Sequence, residues 1–178
     1  MKFLFIVQGE GRGHFTQAIT LEDMLLRNGH QVVEVLVGKS SSRTLPGFFN
    51  RSIQAPVKRF TSPNFLPTAE NKRADLKKSF AYNLIHVPEY FRSMCYINQR
   101  IKETGAEVVI NFYELLTGLT YALFRPSVPY VCIGHQYLFL NNHFEFPRKS
   151  VIQHSMLRIF TRMTSQRASR RLALSFRI

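Results

Sequence analysis

A glycine-rich loop that ends in a histidine lies close to the start of the chain. Its residues are Gly9, Glu10, Gly11, Arg12, Gly13 and His14. Glycine lets a backbone approach a ligand closely, and the free N–H groups at the start of a following helix attract anions. An imidazole can exchange a proton near neutral pH. These residue types at this spacing predict a site for a nucleotide-sugar or a dinucleotide.

The apolar pattern around this loop predicts a strand before it and a helix after it. The run over residues 3–7 is typical of a parallel strand that is buried on both faces. The predicted helix has its apolar stripe at Ala18, Leu21 and Leu25, and its polar side chains lie elsewhere, at Glu22, Asp23 and Arg27. Gly29 ends the helix, and residues 32–37 form a second buried strand. Together these elements predict a right-handed βαβ unit.

The rest of the chain repeats this alternation of strands and helices. Further strands are predicted within residues 52–60 and over 108–110, 130–133 and 172–176. Helices are predicted from about residue 73 to Gly105, with a kink or restart at Pro88, over 115–124 and from Ser150 onward. The buried face of the first of these is assigned to Leu76, Phe80, Leu84 and Val87. This order predicts an α/β fold with a doubly wound, mostly parallel sheet of the Rossmann-like type.

Polar side chains follow two of the later strands. Asn111 and Glu114 come at the end of the strand over 108–110, and His135 and Gln136 follow the strand over 130–133. The carboxyl ends of parallel strands meet at one edge of a sheet, so we expect these side chains to lie near the glycine loop.

His14 is the candidate catalytic base. Transfer of a group to a hydroxyl needs a base that takes the hydroxyl proton. The positive end of the helix dipole lowers the pKa of His14 by disfavouring its cation, whereas a carboxylate partner would raise its basicity. The candidate partners are Glu10, Asn111 and Glu114.

Each of these residues also has a purely structural interpretation. His14 can serve as a helix N-cap, and Glu114 as a solvated side chain at a helix start. Arg12 either grips a diphosphate or points into water. The structural interpretation of His135 is a role in the core or in a loop.

The spacing of the loop separates it from two known nucleotide motifs. A dinucleotide fingerprint needs G-x-G-x-x-G and an acid after the second strand. Here the spacing is G-x-G-x-G, and the second strand is followed by Gly38, Lys39, Ser40 and Arg43. Cations at that place suit the 2′-phosphate of NADP, so an NADP-dependent oxidoreductase domain stays open as an alternative. A Walker loop is excluded because Val33 stands where its first glycine would be.

The loop, with Gln17 and Ala18 behind it, resembles the N-terminal domain of GT-B glycosyltransferases. It is most similar to the lipid II-forming N-acetylglucosaminyltransferases and the UDP-glycosyltransferases, which carry a glycine-rich loop ending in histidine after the first strand. Residues 133–136, Asn141 and Asn142, a basic helix and a strand then follow in the order of the lipid II enzymes. Those enzymes have two adjacent Gly-Gly pairs where this chain has glycines separated by Glu10 and Arg12.

The resemblance implies a hexosyltransferase-type enzyme. It would transfer a sugar from a nucleotide-sugar to an acceptor hydroxyl, with no further cofactor. By resemblance the donor would be a UDP-sugar, and in one interpretation the acceptor is lipid-linked. Residues 1–178 would be the N-terminal acceptor domain, inactive without a C-terminal nucleotide-sugar domain outside this chain. His14 and Glu114 would be catalytic. The residues that contact the donor diphosphate or the acceptor would be Gly9, Glu10, Gly11, Arg12, Gly13, Asn111, His135 and Gln136.

The net charge of +13 is unevenly placed, since no acidic residue follows Glu145. This bias predicts contact with nucleic acid, an anionic membrane surface, a phosphorylated ligand or an acidic domain. The basic helix over 150–171 has Arg158 and Arg162 opposite an apolar face of Ile152, Met156, Ile159, Phe160 and Met163. Such a helix can dock on anionic lipid, and a solvated crossover helix is the simpler interpretation. A basic nucleic-acid-binding module has no recognition motif to support it.

The composition bears on where the protein is located and on whether it binds a metal. Cys95 and Cys132 are too few for a disulfide framework, and no apolar run reaches the length of a spanning helix. The sequence therefore predicts a cytoplasmic protein, peripheral at the inner face of the membrane if the basic helix docks there. The aspartates are Asp23 and Asp75, so no Asp-x-Asp pair exists and no metal site is predicted.

Overall fold

The computed structural model describes residues 1–39, 44–63, 83–142, 144, 146 and 151–175. The strands are β1 (Lys2–Gln8), β2 (Gln31–Lys39), β3 (Val57–Thr61), β4 (Val108–Phe112), β5 (Tyr130–Ile133) and β6 (Arg170–Leu172). The helices are α1 (Arg12–Arg27), α2 (Gly47–Ser52), α3 (Val87–Glu103), α4 (Leu115–Phe124) and α5 (Val151–Thr164), with a 3₁₀ helix at His135–Leu140. Among these described parts, no helix combines the length and the apolar character needed to cross a bilayer.

The six strands form one parallel sheet in the order β3-β2-β1-β4-β5-β6. The chain builds outward from β1 to β3, then returns to the other side of β1 and builds outward again. The predicted doubly wound α/β sheet is therefore confirmed. The order reverses between β1 and β4, and ligands of this fold class bind at such a switch point, beyond the carboxyl ends of the strands.

Alternation along β1 supplies both layers of the core. Leu4 and Ile6 belong to the apolar cluster under α3 and α4, whereas Phe5 and Val7 belong to the cluster under α1. All four side chains are completely buried, as a central parallel strand requires.

Helix α1 differs from its predicted apolar stripe at one position. Glu22 was assigned to the polar side, but it is 2% exposed. Its two carboxylate oxygens accept the backbone N–H groups of Gln54 and Ala55, each at 2.8 Å. A buried carboxylate needs such hydrogen bonds. These two bonds also fix the position of the segment that leads into β3.

The long helix predicted from residue 73 is described only in its second part. Leu76 and Phe80 lie outside the described residues, and α3 begins at Val87 with Pro88 in its first turn. The prediction of a restart at Pro88 is thus confirmed. Leu84 and Val87 were predicted to be buried and are 62% and 52% exposed, so that part of the assigned face was wrong. Gly105 follows the helix with φ of 62°.

Helix α5 packs through a narrower and more polar face than its sequence predicted. Met156 and Ile159 are 48% and 56% exposed, whereas Thr161 and Thr164 are completely buried. The reason is close packing on α4, where a methyl group at Gly118 would collide with the backbone of α5 at Met163 and Thr164. Only small residues fit at such a crossing. The capping box predicted at Ser150 rests on a residue outside the described ones.

Strand β6 begins two residues earlier than predicted. It covers Arg170–Leu172, where the sequence suggested residues 172–176, and all of its residues are exposed at the edge of the sheet. Arg171 is held there by Ser165, whose hydroxyl accepts the Nε–H of Arg171 at 2.8 Å.

Candidate active site

The glycine loop joins the end of β1 to the start of α1 at the switch point of the sheet. The N–H of Gly9 donates to the carbonyl oxygen of Gly38 at 2.7 Å, and a side chain at Gly9 would press against that oxygen. Gly9 is therefore required by the close approach of β1 and β2. Gly11, the N-cap of α1, has no side-chain cap, and a methyl group at Gly13 would meet nothing within 4 Å. The start of α1 consequently presents bare backbone, as a bound anion would need.

His14 lies in the first turn of α1 and is only 5% exposed. Its Nε2 atom is 3.3 Å from the side-chain nitrogen of Gln136, which follows β5. The side-chain amide of Gln136 and Nε2 of His14 form a hydrogen bond whose direction depends on which ring nitrogen carries the proton. The predicted convergence of the β1 and β5 ends is thus present in the structure.

Burial is the main influence on the protonation of His14. It lowers the pKa of His14 to about 4; a hydrogen bond with the Gln17 side chain acts in the opposite direction, and the charge of His135 lowers the pKa further. The imidazole is therefore neutral at physiological pH and has a lone pair available to accept a proton.

Glu114 is placed in a closed pocket at the start of α4. Its Oε1 atom accepts the hydroxyl of Ser62 at 2.6 Å and the backbone N–H of Leu116 at 3.1 Å, so it is the N-cap of α4. The side chain is completely buried, and the interpretation as a solvated helix start was wrong. Burial raises the pKa of Glu114 to about 7, and the charge of Glu10 adds to this.

Neither Glu114 nor Asn111 is hydrogen-bonded to His14. The amide nitrogen of Asn111 donates to the carbonyl oxygens of Thr164 at 2.9 Å and Glu114 at 3.1 Å, and its oxygen accepts the N–H of Glu114 at 2.9 Å. These bonds hold the turn after β4 against the end of α5. The side chain that forms a hydrogen bond with the imidazole in this structure is the amide of Gln136 rather than a carboxylate.

Two rings flank the imidazole. Tyr113 lies 5.9 Å from His14 between ring centroids with 17° between the ring planes, and His135 lies at 6.5 Å with 7°. His135 is exposed, whereas Tyr113 is buried. Sequence reasoning missed Tyr113, and its only signal was its position directly after an apolar strand and before a helix cap.

The remaining predicted site residues lie around this group. Arg12 is exposed at the start of α1, and within the described residues it makes no ion pair. Glu10 is half-buried and close enough to Glu114 for its charge to raise the pKa of Glu114. In the part of the chain that the structure describes, no three His, Cys, Asp or Glu side chains gather into a metal-binding group.

The chain thus forms a doubly wound parallel sheet with a glycine loop and a buried histidine at its switch point, the position at which ligands bind in this fold class. The family model described as glycosyl transferase family 1 matches residues 1–177, and the chain belongs to this family. The resemblance to glycosyltransferases that the loop indicated is thereby confirmed.

Two solved structures are similar to this chain. The glycotransferase of kitacinnamycin is 16% identical with a TM-score of 0.47, over 74% of this chain and 29% of its own. UGT2 of Phytolacca americana, complexed with UDP-2fluoro-glucose and pterostilbene, is 15% identical with a TM-score of 0.48, over 78% of this chain and 33% of its own. The matched part thus spans about a third of each protein's length. No curated protein matches the chain.

Proposed function

We propose that this chain is the acceptor-binding part of a glycosyltransferase that moves a sugar from a nucleotide-sugar, a UDP-sugar by resemblance, to an acceptor hydroxyl. The observation that carries the proposal is the buried, neutral His14, whose Nε2 atom faces Gln136 at the switch point. A second domain would supply most of the donor site.

In the proposed reaction the acceptor hydroxyl takes the place of the Gln136 amide at Nε2 of His14. The acceptor oxygen forms a bond to the anomeric carbon, the bond from that carbon to the diphosphate oxygen breaks, and the hydroxyl proton passes to Nε2. The nucleoside diphosphate leaves with the bonding electrons. His14 can take this proton because burial keeps the imidazole neutral at physiological pH.

The other residues of the loop are proposed to bind the substrates. The bare backbone from Gly11 to Gly13 and the exposed guanidinium of Arg12 suit a diphosphate. Gln136 and the exposed His135 are assigned to the acceptor. Glu114 would contribute through its cap on α4, since its hydrogen bonds are directed to Ser62 and Leu116.

His14→Ala in the complete protein tests this proposal. We expect turnover to fall about 10²–10⁴-fold, the range for loss of a general base, while the affinity for the nucleotide-sugar is unchanged. His30→Ala is the matched control. His30 directly precedes β2 and so lies at the amino ends of the strands, whereas His14 lies at their carboxyl ends. Unchanged turnover in His14→Ala would exclude His14 as the base.

The oxidoreductase alternative depended on cations after β2. Ser40 and Arg43 lie outside the described residues, and the family match favours the transferase. Binding of NADPH, followed by its fluorescence, would support the alternative, and we expect none.

We also propose that the outer face of α5 contacts anionic lipid. Met156 and Ile159 are exposed there beside the exposed Arg162, an arrangement that suits the surface of a bilayer. Co-sedimentation with vesicles should increase with their phosphatidylserine content and weaken in Ile159→Asp, whereas Met24→Asp on α1 should bind as the unchanged protein does. Sedimentation that is independent of anionic lipid would remove this proposal.

A further inference from the structure

Tyr113 has a backbone conformation that tyrosine seldom adopts. Its φ is 63°, in the left-handed region, although it is neither glycine nor asparagine. A non-glycine residue stays in this region only where its surroundings over-determine it, and such residues cluster at functional sites. The position is the turn between β4 and α4, next to Glu114.

Several contacts hold the Tyr113 side chain in place. Its ring meets Tyr137 edge to face at 5.6 Å between centroids and Phe160 at 5.7 Å. Its phenol is 2.8 Å from Oγ1 of Thr161 on α5. Because the single Thr161 hydroxyl proton is donated to the carbonyl oxygen of Leu157 at 2.7 Å, the phenol must be the donor.

The ring fixed in this way lies nearly parallel to the imidazole of His14. The ring of His135 also lies nearly parallel to His14, but His135 is exposed, so Tyr113 is the buried ring of the two. The orientation of the imidazole plane decides whether Nε2 points at the Gln136 amide, and thus at the site proposed for the acceptor hydroxyl.

We propose that Tyr113 is a positioning residue for His14: its ring sets the imidazole plane and keeps water from it, and its phenol anchors that ring to α5 through Thr161. This inference rests on the proposed function, in which His14 is the base. The left-handed backbone conformation of Tyr113 in the β4–α4 turn then directs its ring towards His14.

The consequences for the environment of His14 can be measured without turnover. Among the residues that the structure describes, the titratable group that faces the imidazole, apart from Tyr113, is His135. Removing the Tyr113 ring leaves this neighbour in place and admits water. Since burial is the main cause of the low pKa of His14, that pKa should then rise towards its ordinary value.

The experiment is an NMR titration of the His14 ring in the unchanged chain and in three variants. Tyr113→Asn removes the ring with least backbone cost, because asparagine tolerates positive φ. Tyr113→Phe keeps the ring and loses the phenol. Tyr121→Leu is the control, since Tyr121 is equally buried and packs on Tyr130 instead. We expect the pKa of His14 to rise by about 1 or more in Tyr113→Asn, and to stay low in the other two.

Turnover of the complete protein separates this inference from the proposed function. Tyr113→Asn should lower kcat at least about tenfold with little change in the acceptor KM, and Tyr113→Phe should restore most of it. A pKa of His14 that is unchanged in Tyr113→Asn, or that rises equally in Tyr121→Leu, would overturn the positioning role. A pKa that rises as expected in a complete protein with no transferase activity would overturn only the proposed function.

A second variant guards against loss of folding in Tyr113→Asn. Thr161→Val removes the acceptor of the phenol and leaves both rings intact. If the phenol anchors the ring to α5, the melting temperatures of Thr161→Val, Tyr113→Phe and the double variant should be non-additive. Additive losses would show that the two groups act independently and would contradict the anchor.

Discussion

The carboxyl group of Glu114 lies directly against the α-carbon of Gly38, so that β2 can pass the start of α4 only because residue 38 has no side chain. A methyl group there would collide with Oε2 of Glu114 and would also meet the ring of Phe60. The turn after β4, the end of β2 and the end of β3 are thereby packed around one buried acid.

Gly38→Ala should destabilise the protein because this contact has no free space. Inserting a methyl group into a closely packed site costs about 1–3 kcal/mol. The control is Gly13→Ala in the first turn of α1, where a methyl group meets nothing within 4 Å, so no loss of stability is expected. Urea denaturation measures both, and equal effects of the two substitutions would contradict the packing described.

Glu114 should make stability fall as the pH rises. Burial raises its pKa to about 7 in the folded protein, from about 4.5. The folded state therefore holds this proton more tightly than the unfolded chain, and the contribution is complete below the unfolded value and is lost as the pH rises through about 7. The loss amounts to as much as about 3 kcal/mol.

Glu114→Gln cannot ionise, so its free energy of unfolding should lack this decline between pH of about 5 and about 8. Denaturant titrations at several pH values compare it with the unchanged protein. Glu89→Gln, at an exposed glutamate of α3, should keep the full decline. A parallel decline in the Glu114 variant would show that another group is responsible.

Gln136→Glu should raise the pKa of His14 above its present value of about 4. A carboxylate at 136 would stand beside Nε2, and an opposite charge at this distance favours the imidazolium. The titration is read from the His14 ring by NMR, with Gln166→Glu, at an exposed position, as the control. No change at His14 would mean that the two side chains are apart in solution.

Arg100→Met should destabilise the protein by about 2–4 kcal/mol, because it removes one partner of a buried carboxylate. Glu34 of β2 contacts Arg100 at 2.8 Å and Lys58 at 2.9 Å, and Lys58 is the more exposed of the two cations. Lys102→Met, at an exposed position of the same helix, should change little. Thermal unfolding measures the difference, and equal effects of the two variants would contradict this account.

That ion pair also has a defined pH dependence. Burial acts to raise the pKa of Glu34, but the hydrogen bonds from Arg100 and Lys58 lower it overall. Its stabilisation is therefore present above the usual range of a glutamate and disappears as the pH falls through the lowered pKa. The difference between Arg100→Met and the unchanged protein should accordingly shrink in acid.

The sequence predicted the strands and helices that have clear periodicity, and the features it missed depend on distant contacts. β1, β2, β4 and β5 are mostly apolar, as is typical of strands that are buried on both faces. The six-residue α2 was missed, because it is too short to show a period. The burial of Glu22 depends on the N–H groups of Gln54 and Ala55, which no local pattern reveals.

The candidate site was predictable to the same extent. Parallel topology requires the β1 and β5 ends to meet, so the approach of His14 and Gln136 followed from the order of elements. The direction of each side chain did not follow from it. Glu114 and Asn111 bond to Ser62 and Thr164, and those partners became available only once β3 and α5 were placed.

The central position of β1 has a consequence for the order of events during synthesis. β1 needs β2 on one side and β4 on the other, and residues 40–107 separate these two partners. Protein synthesis proceeds at about 5–20 residues per second, so one edge of β1 stays unpaired for on the order of 3–14 s before β4 is made. During that interval the nascent chain presents the unpaired backbone edge of an apolar strand, to which the edge of another chain could pair.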